Sequence, residues 1–303
     1  MKSLTYAIVG TGALGGYYGG MLAKAKKEVH FLFNSDYEWV RSNGLRVDSV
    51  QGDFVLPVVN AYNRPEDMPK CDVVLVCMKT TSESLLKSLL APIIHAQSIV
   101  LLIQNGYGNE AKLKIDFPNL IVGGGLGFIC SSKVGPGHIV HQDFGKLTIG
   151  IDHGASAELL TPVIFDLIES GISAEITENL ELSRWKKLVW NVPYNGLCVV
   201  LGATTEDLMN CPSTYQLIQC IMQEVVGAAN ACGFLIEDGF IQAMLDSTKK
   251  MKPYAPSMKL DFDHKRPMEI DAIYARTLAA AEKVGFAMPK VSMLKAQLEF
   301  LQG

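Results

Sequence analysis

A glycine-rich turn between two apolar strands constrains the fold of this chain most strongly. The segment AIVGTGALGG begins at Ala7 and places Gly10, Gly12 and Gly15 in the pattern G-x-G-x-x-G. An apolar strand precedes the glycines, and a helix rich in alanine and leucine follows them and leads to a second strand over residues 28–33. In such a βαβ unit the glycines allow a tight turn, close approach of the backbone to a pyrophosphate, and close packing of helix on strand. The segment therefore predicts a dinucleotide site at the N-terminus of the helix.

Polar residues that directly follow later strands are further candidates for ligand contacts. Open α/β sheets bind ligands outside the carboxyl ends of their strands, and Asn34, Lys79 and Asn105 occupy such places. A lysine after a strand is often simply exposed to water. Asn105 is followed by Gly106, which is equally typical of an ordinary Asn-Gly turn.

Size and charge narrow the class of protein. The chain has 303 residues, of which 49% are hydrophobic and 19% charged, with a formal net charge of −4. These values are typical of a soluble globular protein large enough for two domains. No block of Lys and Arg resembles a nucleic-acid-binding arm, so we expect small-molecule partners and no nucleic acid. The longest apolar runs fall short of the ~20 residues that a membrane-spanning helix needs, so we expect no membrane association.

Cysteine and histidine usage indicates a reducing compartment and no metal. The seven cysteines are scattered and show no C-x-x-C spacing, which favours reduced thiols in a cytoplasm. The apolar stretch after Lys2 lacks a convincing cleavage site and is interpreted as the first strand rather than a signal peptide. His138 and His141 lie beside a Gly-Pro-Gly segment without matching ligands, so a polar turn or strand edge is favoured over a metal site.

The two halves of the chain differ in their periodicity. In residues 1–179, short apolar runs alternate with helical stretches, which predicts a doubly wound parallel sheet covered on both faces. The segment GHIVHQDFGKLTIGI alternates in period two and predicts an antiparallel hairpin with a turn at Asp143 to Gly145. Residues 180–303 instead read as consecutive helices stopped by Gly or Pro. We therefore expect an α/β fold with an N-terminal Rossmann-type domain and a C-terminal all-helical domain.

A polar stripe runs along the first helix of the second half. Lys187, Asn191 and Asn195 have the spacing i, i+4, i+8, so they share one face of a helix that is otherwise apolar. A ligand could pair with these groups, since an unpaired buried amide costs ~1 to 3 kcal/mol. Alternatively, Lys187 reaches water and the asparagines bond the helix backbone near Pro193, where a hydrogen bond is lost. Ser257 and Glu269 lie at helix starts, where Ser as a cap and Glu in a first turn are routine.

Taken together, these segments resemble the ketopantoate reductase (2-dehydropantoate 2-reductase) family over almost the whole chain. The matching segments are GTGALG, MK at 78–79, QNG at 104–106, KLVWNVPYN at 187–195, and PSM at 256–258 followed by EID at 269–271. The resemblance implies an NADP-linked reduction of 2-dehydropantoate, a branched 2-keto acid, to its 2-hydroxy acid in pantothenate biosynthesis. A possible homodimer is a further expectation.

The resemblance also implies roles for individual residues. Lys187 would be the general acid and Glu269 a catalytic partner that binds the substrate hydroxyl. Substrate contacts would come from Asn105, Asn191, Asn195 and Ser257, and cofactor contacts from Gly10, Gly12, Ala13, Leu14, Gly15, Asn34, Lys79 and Asn105. Hydride delivery to a ketone builds negative charge on oxygen, which an ammonium group can stabilise and protonate without a metal. Burial would lower the pKa of Lys187 and Glu269 would oppose that shift, and the sequence leaves the balance open.

One position departs from the family pattern. Family members usually carry an arginine after the second strand, where it binds the 2′-phosphate of NADP, but this chain has Asn34. An amide can contact a phosphate or a hydroxyl, so NADP is expected through the resemblance and NAD stays possible. Arg41 or Lys79 could substitute electrostatically. Alternatives to the expected enzyme are a reductase of another 2-keto acid, an opine-type dehydrogenase, and a non-catalytic dinucleotide-binding protein.

Overall fold

The structure, a computed structural model, describes residues 3–152, 156–251 and 255–303. The chain divides into two units. The first runs to Gln104 and resumes over Asn109–Leu180, and the second comprises Asn105–Gly108 and Glu181–Gly303. The sequence sets the division between residues 179 and 180, and nothing in its pattern assigns residues 105–108 to the second unit.

Within the described residues, the first unit contains one ten-stranded sheet. The strands are β1 (Thr5–Val9), β2 (Glu28–Leu32), β3 (Leu45–Ser49), β4 (Phe54–Leu56), β5 (Asn60–Tyr62), β6 (Val73–Val76), β7 (Ile99–Leu102), β8 (Ile121–Gly135), β9 (His138–Ile151) and β10 (Ala174–Ile176). Their order is β4-β3-β9-β8-β7-β6-β1-β2-β5, and β10 pairs with β9. The run from β5 to β8 is parallel throughout.

Both faces of the parallel part are covered by apolar clusters, as the continuous apolar runs predict. In β1, Tyr6 and Ile8 belong to one cluster and Ala7 and Val9 to the other. The helices of this unit are α1 (Ala13–Lys24), α2 (Tyr37–Asn43), α3 (Leu86–Leu90), α4 (Asn109–Asp116) and α5 (Thr161–Glu169). The α/β prediction is confirmed, because side chains that alternate across a strand can all be apolar only where both faces are buried.

The hairpin predicted within residues 137–151 is wrong, because this segment forms the single strand β9, whose antiparallel partner is β8. β8 and β9 are joined through Pro136 and Gly137, and β9 continues through Asp143 to Gly145. The pairing shifts there, from Phe128 with Lys146 to Ile129 with Phe144, so β9 carries an extra residue. The left-handed φ of Phe144 (61°) and Gly145 (110°) produces a β-bulge rather than a chain reversal.

His138 and His141 lie in β9, which pairs with both β3 and β8. His138 begins the strand directly after the turn at Pro136 and Gly137, as expected, whereas His141 lies inside this interior strand. His138 Nε2 lies 2.8 Å from Asp48 Oδ2, and His141 Nδ1 lies 2.8 Å from Ser49 Oγ. All seven cysteines are free thiols. In the part of the chain that the structure describes, no helix is both long and apolar enough to span a membrane.

The second unit is helical, as predicted. Its helices are α6 (Leu180–Val200), α7 (Thr205–Asn210), α8 (Pro212–Ala231), α9 (Phe240–Lys250), α10 (Ser257–Asp263), α11 (Arg276–Lys283) and α12 (Pro289–Gln302). Helix α6 contributes buried side chains such as Trp185, Leu188 and Val192 to a single apolar core. A π-helical turn over Asp271–Ala275 leads into α11 where the sequence predicts an uninterrupted helix.

Candidate active site

The three glycines of the first turn meet three different surroundings. Gly10 has a left-handed φ of 92°, and a Cβ there would lie 2.6 Å from the Cα of Met78. Gly15 packs on β1, because a Cβ there would overlap the carbonyl of Gly10 and lie 2.9 Å from Cγ2 of Ile8. Only glycine fits either place without a shift of backbone.

Gly12, in contrast, faces open space. A Cβ there would meet no atom within 4 Å, and the φ of −88° is one that any residue can adopt. Gly12 occupies the N-cap position of α1, and no side chain there bonds the first amide groups of the helix. Ala13 and Leu14 lie in the first turn of that helix. Free amide groups at a helix N-terminus attract anions. The open space and the uncapped helix start therefore fit a pyrophosphate.

The end of β2 lies beside this turn. The Thr11 hydroxyl donates to the carbonyl of Leu32 at 3.0 Å, which joins the turn to the carboxyl end of β2. Asn34 follows that strand and is exposed, as is Arg41 in the last turn of α2. Lys79 is half-buried and follows Met78, the residue that a Cβ at Gly10 would overlap.

An acidic side chain near the end of β2 is Asp36, which is 6% exposed. Burial alone would raise the pKa of Asp36, but the Lys133 ammonium at 2.7 Å and the backbone N–H of Gly137 at 3.0 Å keep it below its usual value. Its charge is therefore compensated within the protein. Sequence reasoning did not single out Asp36, because its partners lie about a hundred positions along the chain.

In the second unit, Lys187 is half-buried on α6. Burial lowers the pKa of Lys187 to about 7; the positive charge of Arg184 adds to the shift and the carboxylate of Glu269 opposes it. Arg184 and Glu269 are 2% and 6% exposed. The balance that the sequence leaves open is thus settled in favour of burial, and Lys187 can give up a proton near neutral pH.

The two asparagines of the stripe differ in their surroundings. Asn191 is 6% exposed, and its Nδ2 has no hydrogen-bond partner among the described residues. A buried donor of this kind normally has a partner. Asn195 Oδ1 accepts from the backbone N–H of Met258 at 3.2 Å, so Asn195 bonds the start of α10 instead of its own helix near Pro193.

Ser257 and Glu269 occupy the ends of two elements. Ser257 is the first residue of α10 and Pro256 takes the cap position, so the expected Ser cap is wrong. Glu269 directly precedes the helical segment that starts at Ile270, instead of lying in a first turn. It is nevertheless close enough to affect the pKa of Lys187.

Asn105 belongs to the same unit as these residues. It is half-buried, and the next residue, Gly106, has a left-handed φ of 96°. Tyr107 N donates to the carbonyl of Ala272 at 3.0 Å. Asn105, Lys187, Asn191, Asn195, Ser257 and Glu269 therefore all lie in one unit, whereas the glycine turn, Asn34 and Lys79 lie in the other.

Comparison with known proteins places the chain in a family. Residues 6–154 match the family model described as ketopantoate reductase PanE/ApbA, and residues 179–302 match its C-terminal companion. The chain belongs to the ketopantoate reductase family. A 2-dehydropantoate 2-reductase from a Nostoc species is 50% identical over 100% of this chain and 97% of that protein.

Solved structures of ketopantoate reductases share the fold. The 2-dehydropantoate 2-reductase from Geobacter metallireducens is 38% identical with a TM-score of 0.95, and the match covers 98% of this chain and 99% of that one. A dimeric ketopantoate reductase from Staphylococcus aureus is 20% identical with a TM-score of 0.84, covering 99% of each chain. The second similarity is one of fold alone.

Three residues that contact or act on the candidate residues or their neighbours were missed by the sequence analysis. Arg184 lies three positions before Lys187, so the i, i+3 spacing could have revealed it. Thr11 and Tyr107 gave no such signal, because their partners at Leu32 and Ala272 are distant in the chain.

Proposed function

We propose that this member of the ketopantoate reductase family reduces 2-dehydropantoate to pantoate with NADPH, and that Lys187 is the proton donor. The observation that carries the proposal is a lysine whose pKa is lowered to about 7, placed one helical turn from a buried amide, Asn191 Nδ2, that has no partner among the described residues. The 50% identity to a 2-dehydropantoate 2-reductase supports the choice of substrate. The seven free thiols suit a reducing cytoplasm.

The first unit would hold the cofactor. The backbone at Gly12 and the amide groups of Ala13 and Leu14 would bind the pyrophosphate, since space is open there and the helix start is uncapped. When bound, the nicotinamide supplies the hydride that the keto carbon accepts. Gly10 and Gly15 fix the path of the turn and leave Gly12 as the place where the backbone can approach an anion.

Lys187 would complete the reduction. As the keto carbon gains its hydride, negative charge grows on the oxygen, and the Lys187 ammonium stabilises that oxygen and donates its proton to it. A pKa near 7 makes the proton easy to give up, while the Glu269 carboxylate raises the pKa and so keeps a useful fraction of Lys187 charged.

The remaining polar groups would bind the substrate. Asn191 Nδ2 would donate to an oxygen of the keto acid and thereby gain its missing partner. Asn195 would contact the substrate and also holds α10 through Met258 N, which positions Ser257 at the start of that helix. Glu269 would accept from the distal hydroxyl of the substrate, and Asn105 would contact substrate and cofactor.

The residues after β2 support the proposed preference for NADPH. Asn34 is exposed there and carries a neutral amide. The negative charge of Asp36 is compensated by Lys133, so no uncompensated carboxylate of these two residues would repel a 2′-phosphate. We therefore favour NADPH. Asn34→Arg should raise the ratio of kcat/KM for NADPH over NADH, because guanidinium binds phosphate bidentately. Asn43→Arg, which adds the same charge at the end of α2, should leave the ratio unchanged.

A panel of 2-keto acids, each assayed with NADPH and with NADH by loss of nicotinamide absorbance, tests the proposal. We expect the highest kcat/KM for 2-dehydropantoate with NADPH. A higher kcat/KM for another 2-keto acid, or a requirement for an added amine, would favour a related reductase or an opine-type dehydrogenase. Cofactor binding without turnover of any 2-keto acid would favour a non-catalytic protein.

We also propose a homodimer, which the dimeric relative from Staphylococcus aureus supports. Light scattering after gel filtration should give about twice the chain mass of 33.1 kDa. A mass of one chain at every concentration would contradict the homodimer.

A further inference from the structure

The segment Asn105–Gly108 rests on a π-helical turn of its own unit. Gly106 faces the backbone of Ala272 so closely that a Cβ would lie 2.6 Å from the carbonyl carbon of that residue. The next residue, Tyr107, donates its backbone N–H to the Ala272 carbonyl at 3.0 Å. Two consecutive backbone contacts therefore seat this segment on a single residue, and Ala272 is 1% exposed.

The π-helical turn connects this seat to Glu269. Ala272 is the second residue of the turn Asp271–Ala275, and Ile273 N donates to the carbonyl of Glu269 at 3.1 Å. Single π-helical turns inserted in α-helices occur frequently at functional sites. Asn105 stands directly before the seated pair, and Glu269 stands three positions before Ala272.

Two further contacts connect the same assembly to α6. The Tyr107 ring lies 5.0 Å from the ring of Trp185, centroid to centroid, and Trp185 is fully buried two positions before Lys187. From the π-helical turn, the buried Tyr274 hydroxyl donates to the carbonyl of Val192 at 2.9 Å, next to Asn191. Backbone and ring contacts thus connect the segment Asn105–Gly108, the π-helical turn and helix α6.

We infer that Gly106 and Tyr107 are positioning residues, which seat residues 105–108 on the π-helical turn and so fix the Asn105 amide relative to Glu269 and Lys187. This inference rests on the reduction proposed above. Gly106 acts by permitting the left-handed φ and the close approach, and Tyr107 acts through its N–H and its ring. Neither needs to touch the substrate.

The chain offers a matched pair of glycines to test this. Gly108 also has a left-handed φ, 72°, but a Cβ there would meet no atom within 4 Å. Gly106→Ala and Gly108→Ala therefore add the same group at the same kind of strained φ, and only the first collides with Ala272. Because small misplacements of catalytic groups can cost about 10²-fold, we expect Gly106→Ala to lower kcat at least about 10-fold and Gly108→Ala to stay within about 3-fold.

Three additional measurements separate positioning from general damage. In Gly106→Ala, kcat should fall by a larger factor than the KM for 2-dehydropantoate or the dissociation constant for NADPH rises, because misplacement of Asn105 weakens the transition state more than the bound ground state. Hydrogen exchange at the Tyr107 amide should be faster in Gly106→Ala than in Gly108→Ala. Should Gly106→Ala not fold, Tyr107→Ala should lower kcat and Tyr107→Phe, which keeps the ring against Trp185, should restore it.

The possible outcomes are distinct. A parent protein that reduces no 2-keto acid overturns the proposed function. A parent that does so, with equal kcat in the two glycine variants or with the loss confined to KM or NADPH binding, overturns the positioning role alone. Equal kcat in Tyr107→Ala and the parent overturns the role of the ring.

Discussion

At the scale of single residues, the proposed proton transfer depends on how burial and charge set the pKa of Lys187. Burial and the positive charge of Arg184 lower the pKa of Lys187 to about 7, and the carboxylate of Glu269 opposes this shift. Arg184 acts on Lys187 from the same helix, and Glu269 acts on it from the segment before the π-helical turn. A lysine in this balance is charged in an appreciable fraction at neutral pH and is also a competent acid.

Replacement of Lys187 by alanine should therefore abolish proton donation. General acid catalysis typically contributes about 10² to 10⁴, so Lys187→Ala should lower kcat by at least about 10²-fold while NADPH binding changes little. The neighbouring Lys186 pairs with Glu237 at the surface and provides the control, because Lys186→Ala removes the same charge from the same helix. Turnover by folded Lys187→Ala at the parental rate would rule out Lys187 as the donor.

The alkaline limb of the pH profile of kcat/KM tests how burial, Arg184 and Glu269 together set the pKa of Lys187. The charged form of Lys187 is the proposed donor, so kcat/KM should fall as the pH rises through about 7. Glu269 raises the pKa of Lys187, so Glu269→Gln should move this limb to lower pH. The comparison uses a 2-keto acid without a distal hydroxyl, so that loss of the substrate contact does not interfere. A limb that stays in place would show that Glu269 does not act on the titrating group.

At the scale of elements, the glycine turn shows what a motif specifies and what it leaves to the fold. The pattern G-x-G-x-x-G does not reveal which glycine is confined, but the structure gives Gly10 and Gly15 close neighbours and Gly12 none. A side chain at Gly12 should thus be accepted by the fold and rejected by a ligand. Only at such a position can binding and stability be separated by one substitution.

Gly12→Val should accordingly abolish NADPH binding with little change in the melting temperature. Its φ of −88° is suitable for valine, and the new side chain would occupy the space where a pyrophosphate would lie. Gly135→Val is the control, since a Cβ there meets only His138 at 3.9 Å. A normal NADPH titration of folded Gly12→Val would disprove the pyrophosphate site.

The sequence predicts elements better than it predicts irregular backbone. Apolar runs such as 73–76 and 99–102 are long enough to identify a sheet buried on both faces. The bulge at Phe144 and Gly145 looks like a turn in the sequence, because a left-handed glycine suits both structures. The π-helical turn at Asp271–Ala275 also has no local signal, since its residues fit an ordinary helix. The roles of the candidate site residues stay predictions, because a residue's role depends on the ligand that it contacts and the local sequence pattern does not reveal that ligand.

At the scale of the whole molecule, the division into two units separates the proposed tasks. The glycine turn and Asn34 lie in the first unit, and the proposed proton donor and substrate contacts lie in the second. The segment Asn105–Gly108 departs from this simple order, because it follows β7 in the chain but packs on Ala272. A single boundary in the sequence cannot describe a chain that leaves the first unit at Asn105 and returns to it at Asn109.

Cofactor binding should stabilise the folded chain in a way that depends on the glycine turn. A ligand that binds only the native state at 100 times its dissociation constant adds about 2.7 kcal/mol to stability, which corresponds to a rise of a few degrees in melting temperature. NADPH at such a concentration should produce this rise in the parent and in Gly135→Val. NADH at the same concentration should produce a smaller rise, because it lacks the 2′-phosphate. Gly12→Val should melt at the parental temperature without ligand and should not respond to NADPH, since its side chain would fill the space open in the parent. An equal rise in Gly12→Val would mean that the stabilising site lies elsewhere in the molecule, and equal rises with NADPH and NADH would remove the preference argued from Asn34.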